Sequence, residues 1–341
     1  MDEDSSGKKQ TFKSLIPDFV YLLSLLLIII GAVLLSVQSW EIVSQEDPVD
    51  YKDCTNRVLA HCTNVLVPPE VCTCRIQIKV QKPLLGQVTV YYELESFNQN
   101  ASDYAGSRDD KQLQGDLSGP PSPACGNYSY VETPQGRKAI MPCGAVANSI
   151  FNDTIESIVY TTSESKKIAV QLFRTGLEGI TDEDRKKYRN PPGDLKEALQ
   201  NFSKPIDWLS DLWDINEATK NSWESSANNS EHGIQNEAFI AWMKTDMKRK
   251  PACRLDHSGE FSQGLPAGNY TFSIETKYPF EKYDGRRLII LRAVQIYTST
   301  ALVVLGSLLI VAGVLVLIGK IVYNKRKHGK YMYCTVASYI K

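Results

Sequence analysis

Along these 341 residues the apolar positions form two uninterrupted runs separated by a long, patterned middle. From Phe19 to Val37 nineteen residues carry no charge, and from Ala293 to Gly319 twenty-seven carry none. A helix needs about 20 residues to cross a hydrocarbon core of about 30 Å, so each run is long enough. A buried core helix would be shorter and would carry a polar stripe, which Leu22 to Leu35 lacks. Val37 and Ser39 are small residues that suit signal-peptidase cleavage. The apolar core nevertheless exceeds the roughly 7–15 residues of a signal peptide, and Asp2, Glu3 and Asp4 precede it, so an uncleaved anchor is expected.

The middle alternates. Arg75 to Val80 places Ile76, Ile78 and Val80 on one side; Val88, Val90 and Tyr92 repeat the pattern, as do Ile168, Val170 and Leu172. Tyr270 to Tyr278 and Leu288 to Leu291 add two more strand candidates. Pro191, Pro192 and Gly193 mark a turn before short helical candidates at Asp194 to Gln200, Ile206 to Trp213 and Glu237 to Met247. Ser118 to Pro123 and Asn216 to Asn236 read as exposed loops, and there is no internal repeat. The expected fold is a membrane protein with two transmembrane α-helices flanking a mostly antiparallel β-sandwich ectodomain with short helical insertions. Its first and last strands would run directly from and into the membrane. The expected boundaries are 1–18 for an N-terminal tail, 19–39 for the first span, 40–292 for the ectodomain, 293–319 for the second span and 320–341 for a basic tail. About 250 residues between the spans suffice for a core of their own.

Charge orients the chain. Lys8, Lys9 and Lys13 precede the first run and Glu41, Glu46, Asp47 and Asp50 follow it, while Lys320, Lys325, Arg326, Lys327 and Lys330 follow the second. Basic residues favour the cytosolic side, which puts both ends there, although Arg286, Arg287 and Arg292 weaken the asymmetry. Cysteines and glycosylation acceptors give a second signal. Seven of the eight cysteines lie between the runs, as do six Asn-X-Ser/Thr acceptors: Asn100, Asn127, Asn152, Asn201, Asn228 and Asn269. That distribution fits an oxidising, glycosylating compartment. A formal net charge of -1 gives no reason to expect a nucleic-acid partner.

His61, Cys62, Cys72 and Cys74 have ligand types for a zinc site, but in an oxidising compartment disulfides are favoured. Cys72 and Cys74 are too close to bond comfortably to each other within a strand. A nested pairing, Cys54 with Cys74 and Cys62 with Cys72, would staple the segment leaving the membrane onto the sheet. Closing about 20 residues is worth roughly 3 kcal/mol in the chain-entropy model. Cys125 and Cys143 can close the next loop, leaving Cys253 as the odd thiol. Cys334 lies in the basic tail, where palmitoylation is an option. Catalytic motifs are missing: there is no GxSxG elbow, Walker loop or HExxH, and His61, His232 and His257 sit at no recognisable nucleophile spacing. No catalytic, cofactor or metal residue is therefore expected. Neither apolar run contains an ionisable residue that would mark an ion path. Gln295, Thr298, Ser299, Thr300 and Ser307, with Gly306 and Gly313, suit helix packing against a partner in the bilayer.

Six strings carry a resemblance: SRDDKQLQG (Ser107 to Gly115), PCGAVANSIFNDT (Pro142 to Thr154), RNPPGD (Arg189 to Asp194), AFIAWMKT (Ala238 to Thr245), LPAGNY (Leu265 to Tyr270) and YPFEKYDGRR (Tyr278 to Arg287). In order and topology the chain resembles the CDC-fifty, LEM-three or transmembrane-protein-thirty family from about Cys54 to Arg287. The resemblance implies a non-catalytic β subunit of a type-four P-type ATPase, the lipid flippases that move aminophospholipids to the cytosolic leaflet. It implies roles in assembly, chaperone-like exit from the endoplasmic reticulum and transport. The partners would be the catalytic α subunit and membrane lipids, in the endoplasmic reticulum, Golgi, secretory vesicles or plasma membrane. It further implies an antiparallel sandwich, the cysteine pairs given above, and a glycan on Asn152.

The chain departs from the family at LRAVQIYTSTALVVLG (Leu291 to Gly306), at FNQNASDYAG (Phe97 to Gly106) and in the lead-in KKQTFKSLIPDF. These segments are expected to touch the pump or the membrane surface. Two other functions fit the same outline. One is a subunit of a two-helix ligand-gated channel, for which Ser299, Thr300 and Ser307 make a poor polar face. The other is a stand-alone lipid-binding surface glycoprotein.

Overall fold

The computed structural model describes residues 4–37, 39–51, 72–214, 232–278 and 285–338. The chain divides into two compact units, Met1–Ile42 with Ile296–Lys341, and Val43–Gln295. The first is built on a helix pair. Its N-terminal helix, Asp4–Ser36, contains the apolar span Phe19–Ser36, and its C-terminal helix, Thr300–Ser338, contains Thr300–Arg326. Both spans are long and apolar enough to cross a membrane, which makes the architecture two-pass.

Glycines set how closely the two helices approach. A Cβ on Gly31 would lie 2.6 Å from the Gly306 carbonyl oxygen, and one on Gly306 would lie 2.9 Å from that of Gly31. At Gly313 a Cβ would meet the Ser24 carbonyl oxygen at 2.8 Å. Backbone packs on backbone here, as small residues allow in a bilayer where dispersion rather than hydrophobicity holds helices together. The outward faces, including Leu22, Leu26, Ile29, Leu308, Val311 and Leu315, remain exposed. At one end Trp40 stacks on Tyr297, with centroids 5.8 Å apart and planes 12° from parallel. At the other, Asn324 Nδ2 donates to the Tyr21 hydroxyl at 3.2 Å.

The second unit is β-rich. Its main strands are β1 (Ser39–Gln45), β2 (Val49–Asp50), β3 (Cys72–Val80), β4 (Gln87–Leu94), β5 (Thr154–Thr161), β6 (Lys167–Val170), β7 (Leu172–Phe173), β8 (Arg249–Leu255), β9 (Gly268–Thr276) and β10 (Arg287–Thr298). One sheet runs β1-β10-β4-β8-β7, with β2 also on β10, and the other runs β3-β9-β5-β6. All the described pairings among these strands are antiparallel. One buried cluster draws on both sheets, including Ile78, Tyr270, Phe272 and Ile158 from one and Val90, Tyr92, Ile289 and Leu291 from the other. In β3 burial alternates as its sequence predicts, whereas β4 is buried from Val88 to Glu93 because its second face is covered too: Arg292 lies over the Tyr91 ring, and Glu93 is held by Lys248 and Arg249.

Two irregularities explain sequences that read poorly as strands. The ladder slips between Ser273 and Ile274, so Ile155 and Ile158, three positions apart in β5, both face the core. In β8 the slip falls between Pro251 and Cys253. A bulge is where a strand tolerates a proline, which has no N–H to give to the ladder.

The second apolar run is helical only from Thr300 and not from Ala293. Ala293 pairs with Val88 and Val294 with Gln87, so the first residues of the run extend β10. At the other end, the N-terminal helix stops at Ser36, and Ser39, placed in the first span from sequence, begins β1. Ile206 to Trp213 does not form the expected helix; a single 3₁₀ turn, Leu212–Asp214, lies at its end. The Trp208 indole is instead turned inward, donating to the Ala147 carbonyl at 2.7 Å. Asn216 to Asn236 falls mostly outside the described residues.

Gly31→Leu or Gly306→Leu pushes the helices apart, at an overpacking cost of about 1–3 kcal/mol. The unfolding midpoint of the detergent-purified chain should fall accordingly. Gly319→Leu, in open space, should leave that midpoint unchanged.

Candidate functional site

Four of the six sequence strings meet in a layer of short helices, of which Glu237–Met243 packs on β8. Asp109 caps the helix Asp110–Leu113 by accepting from the Lys111 and Gln112 N–H groups, and its second oxygen accepts from Ser122 N at 2.7 Å. Gln112 then bridges to the next string, donating to the Ile140 carbonyl at 3.1 Å and accepting from Cys143 N at 2.9 Å. At Gly144, φ is 104° and a Cβ would stand 2.1 Å from the Ser107 carbonyl oxygen, so no side chain fits. Arg189 N donates to the Leu113 carbonyl at 2.8 Å. Asn190 clasps the segment at Ile234, accepting its N–H at 3.0 Å and donating to the His232 carbonyl at 2.8 Å. The buried Trp242 indole, on the helix Glu237–Met243, donates to the Val146 carbonyl at 2.7 Å. These residue types are spent on one another's backbones, which is structural rather than catalytic chemistry.

Asp153 joins this layer to the sheets. Its carboxylate is 1% exposed and takes the Arg287 guanidinium at 2.9 Å. It also accepts the N–H groups of Lys277 and Tyr278 at 2.8 and 2.9 Å and the Tyr51 hydroxyl at 3.1 Å. The Arg287 guanidinium lies over the Tyr51 ring, 4.9 Å from its centroid. Burial and the neighbouring carboxylate push the Tyr51 hydroxyl pKa well up, so Tyr51 stays a donor. Two further acids are built into ion pairs. Burial works against the ionised forms of Asp184 and Glu93, but contacts outweigh it and both pKa values are lowered: Lys244 and Thr181 for Asp184, Lys248 and Arg249 for Glu93.

A cavity of about 520 Å³ opens between the end of β4 and the Glu237–Met243 helix, with Tyr92, Phe97, Trp242, Lys248, Lys250 and Asn100 among its walls. Lys250 is 2% exposed and donates to the carbonyls of Trp242 and Lys244. Burial pushes its pKa down to about 7. A second cavity of about 430 Å³ lies beside Tyr91, Glu178, Arg249 and Arg292. Among the described residues no cluster of three or more His, Cys, Asp or Glu side chains is arranged to hold a metal.

The residues singled out from sequence are scattered. Cys125 is bonded to Cys143 across an 18-residue separation, a closure worth about 3 kcal/mol. Cys74 is buried and disulfide-bonded, and Cys72 lies beside it on β3. Cys54, Cys62 and His61 lie outside the described residues. Cys253 is a free, buried thiol whose pKa burial pushes up to about 12, which makes it inert. Asn100, Asn127, Asn201 and Asn269 are exposed; Asn152 is half-buried, with its Oδ1 enclosed; and Asn228 lies outside the described residues. Sequence reasoning missed Asp153, Arg287 and Lys250 as individuals. The first two lie inside the quoted strings, but nothing in sequence marks them as partners.

A two-pass membrane protein with a disulfide-bonded, antiparallel double-sheet domain between its helices is the class these features define. The chain belongs to the LEM3 (ligand-effect modulator 3) family / CDC50 family, whose pattern matches residues 37–328. It is 34% identical over 272 residues to mouse cell cycle control protein 50A, covering 75% of this chain and 71% of that one. It is 32% identical over 268 residues to human cell cycle control protein 50B, covering 75% and 73%. A more distant relative from Saccharomyces cerevisiae, 30% identical over 236 residues (67% and 53%), is named phospholipid-transporting ATPase accessory subunit CRF1.

Arg287→Met leaves the buried Asp153 carboxyl, whose pKa burial already raises, without its cation, and should destabilise the protein by about 3–5 kcal/mol. Pairing it with Asp153→Asn should recover part of that loss, read in a double-mutant cycle of denaturant midpoints. Lys250 makes stability depend on pH. Between about 7 and its ordinary 10.5 the unfolded chain holds a proton that the folded one releases, so stability rises with pH and is lost as pH falls towards 7. Against Lys250→Met, the wild type should gain up to about 1.4 kcal/mol per pH unit across that window.

Proposed function

We propose that this chain is the non-catalytic accessory subunit of a phospholipid-translocating P-type ATPase. The observation that carries this reading is its similarity, over two thirds of its length, to a yeast protein named as such a subunit. Both termini would face the cytosol. The intervening domain would be lumenal or extracellular, glycosylated at acceptors including Asn152, and closed by Cys54–Cys74 and Cys62–Cys72 as well as Cys125–Cys143.

The physical role follows from what the chain offers. Two helices locked together by glycine contacts present open apolar faces, which suit either lipid or the helices of a pump. A domain held by buried ion pairs and a disulfide keeps a fixed surface. Binding of such a rigid partner stabilises the assembled pump by mass action, which accounts for assembly and exit from the endoplasmic reticulum towards the Golgi and plasma membrane. Support for aminophospholipid transport to the cytosolic leaflet requires the pump's conformations to contact the subunit differently.

Purification of the tagged full-length chain in mild detergent, with mass spectrometry of what accompanies it, tests the proposal. A large P-type ATPase should be recovered in near-equal amount. Recovery of the chain alone, as a closed oligomer, would overturn it.

A further inference from the structure

Asn100 stands at the wall of the 520 Å³ cavity, exposed, in the acceptor sequence Asn-Ala-Ser. We propose that this cavity seats the sugar attached to Asn100 itself, with the first N-acetylglucosamine lying against the Phe97 ring. The inference rests on the glycosylated-ectodomain reading above and assigns one acceptor a structural task.

Position comes first. Phe97 precedes Asn100 by three residues, and both line the same cavity. The corresponding residues before the other five acceptors are Ala124, Ser149, Ala198, Ser225 and Pro266, none of them aromatic. Between ring and acceptor the chain turns: Asn98 Oδ1 accepts the Asn100 N–H at 3.1 Å. The ring is also held in place. It stacks on Trp242 with centroids 5.8 Å apart and planes at 29°, and stands nearly perpendicular to the Tyr104 ring, with centroids 5.5 Å apart and planes at 86°. A platform fixed in advance loses little entropy when a ligand settles on it.

Chemistry comes second. A pyranose has an apolar face of C–H bonds and a rim of hydroxyls and amide. The electron-rich face of an aromatic ring attracts the C–H face. Ser96, Asn98, Thr245 and Lys248 line the same cavity and supply partners for the rim. The volume lies within the roughly 300–1,000 Å³ of small-ligand sites. The sugar arrives from a polyprenyl-diphosphate oligosaccharide: its C1–O bond to the diphosphate breaks, C1 joins Asn100 Nδ2, Nδ2 loses one proton and the lipid diphosphate leaves. Because the occupant is tethered at the mouth, it needs no affinity of its own to reach the cavity.

The test uses the full-length chain expressed in animal cells, with glycopeptide mass spectrometry for occupancy and a thermal cycle of Phe97→Leu, Asn100→Gln and the double variant. Phe97→Leu also loosens contacts with Trp242 and Tyr104, so only the difference between backgrounds counts. With Asn100 occupied, Phe97→Leu should lower the midpoint by about 2–4 °C more when the glycan is present than in the Asn100→Gln background. Under native conditions a peptide-N-glycosidase should also release the Asn100 glycan more slowly than that of any other occupied acceptor. Equal thermal losses in both backgrounds, with Asn100 occupied, overturn the seat and leave the glycosylated reading standing. An empty Asn100 with glycans elsewhere also overturns the seat alone, whereas a chain without glycans overturns both.

Discussion

The β-rich domain turns on one buried carboxylate. Asp153 takes hydrogen bonds from the end of β9 at Lys277 and Tyr278, from Tyr51 just past β2, and from Arg287 at the start of β10. Those segments belong to both sheets, and Asp153 itself closes the string that runs through the helical layer. A carboxylate at 1% exposure is tolerable only because its lone pairs are taken up in this way. The rest of the domain is built from ordinary apolar contacts, but their registration across the two sheets passes through this group.

Much of the architecture was legible in sequence, for reasons that differ by element. The apolar spans declare themselves because a helix in lipid needs an unbroken run, and β3 and β9 do so because one face of each meets the core and the other meets solvent. Residues Ala293 to Thr298 read as helix because an apolar stretch has no period of its own. What makes Ala293 and Val294 strand is their pairing with Val88 and Gln87, far away in the chain. β8 was overlooked because Arg249, Lys250 and Pro251 are poor strand residues; a bulge, an ion pair to Glu93 and two carbonyl acceptors make room for them. The acceptor asparagines could be read directly, since a sequon is local. The cavity could not, because it needs Phe97 and Trp242 brought together by folding.

Four of the six strings that carry the family likeness fold into caps and backbone clasps, Asp153 and Arg287 from two of the six form the buried hub, and this chemistry is that of a scaffold. Such a protein acts through the surface it holds in place. The surface of the helix pair and that of the β-rich domain are therefore its working parts, although neither has a motif that names its partner.

The order of strands carries a consequence for biosynthesis. β10 lies between β1 and β4, and β9 lies between β3 and β5, so each sheet receives a central strand from the last part of the domain to be made. Until residues 268–298 have emerged from the ribosome, β1, β2 and β3 have no partner strand, β4 and β5 each lack one of their two, and Asp153 has no arginine. Contacts of such long sequence separation close late and slowly. The nascent chain thus waits, anchored by its first helix, in an incomplete state that attracts quality-control machinery, and a truncation upstream of β9 removes the middle of both sheets rather than trimming an end.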